Sequence, residues 1–150
     1  MRVVKKLAVA IGVVLALPAS ATAATPLVPP FIQNLVRAKA SAQAYVPTRA
    51  PFRYGYRSYT WNARNRTLVV RLADRRFPPD GRHTVVFSVN RFTGDCAAGN
   101  QKSYQVDGNK TYSDASSAWR CLDGVKLAAA GPNLPTVALA QVVASGKRVR

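Results

Sequence analysis

The chain has 150 residues, 22 Lys and Arg against 6 Asp, no Glu and a single His, for a net charge of +16. That length leaves room for one domain with a real core and argues against several. One His and two Cys are too few for a structural zinc site, no cofactor motif is present, and so large a positive charge points toward anionic partners.

In chain order, the first element is a leader. Arg2, Lys5 and Lys6 precede an uncharged apolar run of 11 residues, Leu7 to Leu17; Pro18 and a small-x-small site, Ala21-Thr22-Ala23, follow. This is the layout of a cleavable secretory signal peptide over residues 1–23. The apolar run is shorter than the roughly 18–20 residues that cross a bilayer, which argues against an uncleaved anchor. Cutting after Ala23 leaves one mature domain, 24–150; 19 basic residues then face 6 acidic ones, a net +13. The expected location is secreted or envelope-associated, with no transmembrane segment after cleavage.

A Pro-bearing stretch leads into a helix expected from about Pro30 to Ala44, with Phe31, Leu35 and Ala38 in its apolar stripe and Ile32 and Val36 beside them. Strands follow. From Phe52 to Trp61 the chain alternates, which sends Phe52, Tyr54 and Tyr56 to one face and Arg53, Arg57, Tyr59 and Trp61 to the other; Tyr59 and Trp61 are nonetheless large enough to claim the core, and a bulge near Gly55 would swap the faces. Leu68, Val70 and Leu72 form the inward face of the next strand, and Val85, Phe87 and Val89 that of a third. A loop over 93–100 carries Cys96. Two hairpins turn at Asp107-Gly108 and Asp123-Gly124, where Gly accepts positive φ without steric cost. A last helix spans about Leu134 to Ser145, with Asn133 a candidate N-cap and Gly146 a candidate C′ residue. The expectation is α+β: an antiparallel sheet of about six strands, with the N-terminal and C-terminal helices packed on one face through Phe31, Leu35, Val137 and Val142.

Cys96 and Cys121 are the only cysteines, and an even count in an exported chain reads as a disulfide. Closing that loop is worth about 3.5 kcal/mol in the chain-entropy estimate. A catalytic thiol would need a base, and only His83 is on offer.

The face bearing Arg53, Arg57, Tyr59 and Trp61, extended by Arg71 and also by Arg64 and Arg66, is the candidate polyanion platform, since guanidinium groups pair with acidic groups and rings stack. The same pattern also describes a solvated sheet face with cross-strand Arg–Tyr packing. Arg53-Tyr54-Gly55-Tyr56 has a trace of an RNA-binding strand motif, but export sets intracellular nucleic acid aside as a partner. Asp80, Asp95, Asp107 and Asp123 each adjoin Gly or a turn signal and read as turn formers, so no carboxylate pair is singled out for hydrolysis. No nucleophile elbow, His-Glu metal motif or phosphate loop occurs, which argues against an enzyme.

Tyr45-Val46-Pro47-Thr48-Arg49-Ala50-Pro51, Cys96-Ala97-Ala98-Gly99, Gln105-Val106-Asp107-Gly108-Asn109-Lys110, Trp119-Arg120-Cys121 and Ala144-Ser145-Gly146 form a set. As a set they resemble a group of secreted proteins of high-GC actinobacteria with no assigned activity. The resemblance implies an extracellular or envelope location and transfers no functional residue.

The leading expectation is an exported, non-enzymatic basic domain that contacts anionic envelope polymers or lipid headgroups. One alternative is an inhibitor or accessory domain docking on another exported protein; another is an enzyme with an unrecognised site. The charge has a competing origin too: 15 Arg to 7 Lys and abundant Ala suggest a GC-rich genome.

Overall fold

Short alternating runs separated by tight turns fold the middle of the chain into a single antiparallel sheet. The computed structural model describes residues 24–97, 99 and 101–150; the expected leader lies outside the described residues. In order come α1 (Pro30–Ala40), a 3-10 turn (Ser41–Gln43), β1 (Tyr45–Val46), β2 (Tyr54–Asn62), β3 (Thr67–Asp74) and β4 (Thr84–Arg91). Then follow β5 (Lys102–Val106), β6 (Asn109–Ser113), β7 (Ser117–Leu122), β8 (Val125–Ala130), α2 (Thr136–Ala144) and β9 (Lys147–Arg148). The sheet has seven strands in the order β2-β3-β4-β8-β7-β6-β5, one more than expected, and β1 pairs with β9 apart from it. The chain is thus mixed α+β.

Both expected Asp-Gly hairpins form. Asp107 and Gly108 have φ of 49° and 74°, and Asp123 and Gly124 the same values, the left-handed pair that a two-residue hairpin of this twist requires. The two meanders, β2-β3-β4 and β5-β6-β7-β8, meet where β4 pairs with β8. The connection from β4 to β5 must therefore cross the sheet, and Cys96 on it is bonded to Cys121 in β7, with Cα atoms 5.9 Å apart. The Trp119 indole N–H donates to the Cys96 carbonyl at 3.0 Å, a second tie on the same crossover.

Leu68, Val70, Leu72, Val85, Phe87 and Val89 are fully buried, as the alternation predicts, and Val125, Leu127 and Ala129 continue this face into β8. The buried stripes of both helices join the same core. Those stripes are not the expected ones. α1 buries Ile32, Val36 and Ala40, whereas Phe31 is 65% exposed and Leu35 43%. Each set has the spacing of one helix face, about 100° apart. The helix lies against β2, and Ile32, Val36 and Ala40 join the same buried cluster as the β2 rings. In α2, Val142 is buried as expected, but Val137 is 48% exposed, with Leu139, Ala140 and Val143 inside.

The two helix-end signals also need correction. Asn133 has φ of 63° and sits in the loop, while Pro135 holds the N-cap position, with no side-chain cap. Gly146 is not in the left-handed region that a C′ glycine uses. It is required for another reason: a Cβ there would lie 2.7 Å from Leu127 Cδ1 and 3.2 Å from the Phe87 ring. The chain leaving α2 passes directly over the core, and only a residue without a side chain fits. Beside it, Ser145 Oγ accepts from the Thr48 and Arg49 amides, and Val149 N–H donates to Ala44, so the tail is stitched to the segment after α1. Beneath this stitch Arg120 is buried with no carboxylate partner. Its Nη2 donates to the Gly146 carbonyl at 2.7 Å and its Nη1 to the Asn109 side chain, and burial pushes its pKa down.

Gly146→Ala is expected to lose about 1–3 kcal/mol from overpacking, and Phe31→Ser to stay within about 0.5 kcal/mol, both read from urea unfolding. Replacing both cysteines by serine is expected to cost about 3.5 kcal/mol, with no change in the sheet signal of the folded state by circular dichroism.

Candidate functional site

One residue too many in β2 decides what the sheet shows to solvent. Tyr56 pairs with Leu72 and Ser58 with Arg71, so Arg57 is a β-bulge with no partner in β3. A bulge shifts the alternation by one. Tyr54 and Tyr56 face the core before it, and Tyr59 and Trp61 face the core after it; all four rings pack against the buried cluster. Strict alternation had placed Tyr59 and Trp61 outward with the arginines, and that assignment is overturned. Phe52, expected inward, precedes the strand and is 84% exposed.

The expected platform residues therefore separate. Arg53 has φ of 69° and lies over the Phe52 ring, 5.0 Å from its centroid, ahead of β2. Tyr59 and Trp61 belong to the core side, and Lys39 of α1 sits 6.0 Å from the Tyr59 ring centre. Arg57 and Arg71 remain together. Arg71 donates from Nη1 to Thr60 Oγ1 at 3.3 Å and lies on the side of the sheet away from the core.

These two arginines line a groove of about 580 Å³ that runs across β2, β3, β4 and β8 at one end of the sheet. Its floor is Val86 and Ala130, cross-strand neighbours in β4 and β8, and its walls include Pro79, Pro132 and Ser116. Sequence reasoning missed the floor. Val86 and Ala130 do sit at outward positions of their runs, but their adjacency depends on β4 pairing with a strand some forty residues later. Asp80 stands on the groove rim with its charge in use: Oδ1 accepts from the Arg82 and His83 amides and from His83 Nδ1 at 2.9 Å. These bonds, the His83 side chain's first, hold its pKa below the ordinary carboxylate value. His83 also stacks on Phe77, their centroids 3.9 Å apart.

The other acids are similarly engaged. Asp74 is buried, and Arg76 donates to it from Nε at 3.0 Å and Nη2 at 2.6 Å; this bonding holds its carboxyl at about 2 against an ordinary 3.8. Asp114 accepts from the Ser116 and Ser117 amides, Asp95 from Ala97, and Asp107 from Arg49. Asp123 accepts from the buried Tyr45 hydroxyl at 3.0 Å, and the phenol's pKa is raised, first by burial and then by that bond. A second hollow, about 620 Å³, lies beside Tyr45 where α1 meets β9. Arg37, Arg148 and Arg150 line it together with Asp123, and Arg37 donates to the Arg150 carbonyl at 2.9 Å. No group of three or more metal-ligating side chains occurs among the described residues, and none of their helices is long and apolar enough to cross a membrane.

Comparison of the chain with protein-family models, with curated proteins and with solved structures finds no match.

Because the folded-state pKa of Asp74 is depressed, its contribution to stability is complete above about pH 4 and is lost as the pH falls toward 2. The urea midpoint is expected to fall over that interval. Asp74→Asn is expected to be less stable at pH 7 and to show a shallower acid fall, since Asp80 and Asp114, also depressed, keep theirs.

Proposed function

We propose that the mature chain is an exported, non-enzymatic basic domain that binds an anionic polymer of the cell envelope, and that Arg57 and Arg71 on the open sheet face are part of the contact. The observation that carries this reading is the uneven commitment of charge. Each of the six acidic residues is tied to a turn, an arginine, a histidine or a tyrosine. Arg57 and Arg71 face the groove with no carboxylate bonded to them. A surplus of +13 then has no internal use and is available to a polyanion. The disulfide and the leader-like N-terminus support an oxidising, extracytoplasmic setting.

A second reading has its own support. Phe31 and Leu35, one turn apart on the outward side of α1, form an apolar strip of the kind that docks on another protein. The two readings differ in salt response.

Retention of residues 24–150 on immobilised anionic wall polymer is expected to fall steeply and linearly on a log–log plot as salt rises, with a slope reporting several released counterions. Retention that ignores salt, or none at low salt, overturns the proposal. Salt-insensitive capture of one exported protein, abolished by Phe31→Ser, would establish the docking reading in its place.

A further inference from the structure

The side of the sheet away from the helices has a uniform chemistry that the net charge alone does not explain. Among the described residues, no strand position on this side carries a carboxylate; the one acid within a strand, Asp74, is on the core side. Hydroxyl and amide side chains recur instead, among them Ser58, Thr60, Thr67, Ser88 and Asn90. Register aligns them in rows. One row runs Thr60, Val69, Ser88, Ala128 and on to Trp119 and Tyr112, crossing from β2 to β6. At about 4.8 Å per strand, the part from Thr60 to Trp119 is roughly 19 Å long. Its middle is floored by small side chains, so the row is a trough rather than a ridge.

The far end of the trough is an aromatic step that sequence reasoning did not single out. Tyr112 and Trp119 are half-buried and stacked, with centroids 6.4 Å apart. Lys126 Nζ lies 4.9 Å from the Trp119 ring centre, and Lys110 Nζ 5.5 Å from that of Tyr112. The β4–β5 crossover lies on this same side and borders the step: Trp119 donates its indole N–H to the Cys96 carbonyl, Cys96 is bonded to Cys121 two residues along β7, and the Phe92 ring centre is 5.5 Å from Lys126 Nζ. Arg57 and Arg71 flank the near end.

We infer that this open face binds an acidic polysaccharide, laid across the strands, with Arg57, Arg71 and Lys126 pairing with its carboxylates and the Tyr112–Trp119 step holding a sugar ring. The inference rests on the anionic-polymer reading above and narrows it. A sugar acid offers three things together: hydroxyls for the Ser, Thr and Asn side chains, an apolar ring face for the aromatic step, and carboxylates for the cations. A polyphosphate has no use for the rings. A lipid surface would want protruding apolar anchors, and the most exposed large apolar side chains, Phe31 and Phe52, are not on these strands.

The test measures residues 24–150, disulfide intact, against four probes at low salt: polygalacturonate, uncharged dextran, polyphosphate, and vesicles of anionic phospholipid. Polygalacturonate is expected to bind most tightly and dextran not measurably. Arg57→Gln with Arg71→Gln is expected to weaken polygalacturonate binding at least about tenfold. Trp119→Leu is expected to weaken it while leaving polyphosphate binding within about twofold, a split that misfolding would not give. Arg37→Gln with Lys39→Gln removes equal charge from α1 and is expected to change binding less than about threefold. Ser88→Asp, which puts a carboxylate in the trough, is expected to abolish it. Equal losses from the two double variants, or tighter binding to polyphosphate or vesicles than to polygalacturonate, overturn this inference and leave the anionic-polymer reading standing. No binding to any charged probe overturns both.

Discussion

The two faces of the sheet differ because β2 carries one residue more than β3 can pair. Without the bulge at Arg57, either Tyr54 and Tyr56 or Tyr59 and Trp61 would point away from the core, and the buried cluster would lose half of the rings that pack against it. With it, four large rings lie on the core side and the opposite positions fall to Ser58, Thr60 and Asn62. The displaced residue itself, Arg57, is left on the groove beside Arg71. A single backbone irregularity thus serves the core and the open face at once, which fits the placement of bulges beside functional surfaces in general.

The second constraint is the crossing from β4 to β5. Two meanders of antiparallel strands have been joined side by side, and the connection must pass over β8, β7 and β6 to begin the second one at its far edge. A crossing of this kind closes a long loop without a ladder of its own to hold it. The Cys96–Cys121 bond and the Trp119 hydrogen bond supply the missing restraint. They also set the position of Trp119 on the open face, so a feature that stabilises the topology shapes the surface as well. On the core side the corresponding fastening is the tail after α2. Gly146 lies on Leu127 and Phe87, its carbonyl accepts from the buried Arg120, and β9 pairs with β1. The pieces before and after the sheet are closed together there.

Charge is distributed in the same economical way. Six carboxylates are few, and turn geometry and local ion pairs occupy them. Short-range bonds of this type hold the acids ionised and fix the turns. Among the described residues they leave the arginines and lysines of the strands without a carboxylate partner. The result is a surface rich in donors and poor in acceptors.

By itself the sequence determined what depends on neighbours in the chain. The Asp-Gly hairpins, the inward faces of β3 and β4, the disulfide partners and the turn role of the acids all follow from spacing of a few residues or from counting. The size of Tyr59 and Trp61 made a bulge in β2 conceivable near Gly55, but its occurrence and its place at Arg57 could not be read, because a bulge is decided by what the partner strand accepts. The burial of Ile32, Val36 and Ala40 instead of Phe31 and Leu35 has the same origin, since two apolar stripes on one helix are told apart only by the shape of the surface beneath. Gly146 looked like a helix terminator until the core side chains it touches were in place. The open face was hidden for the plainest reason: its rows join residues from strands far apart in the chain, and only the β4–β8 pairing makes neighbours of them.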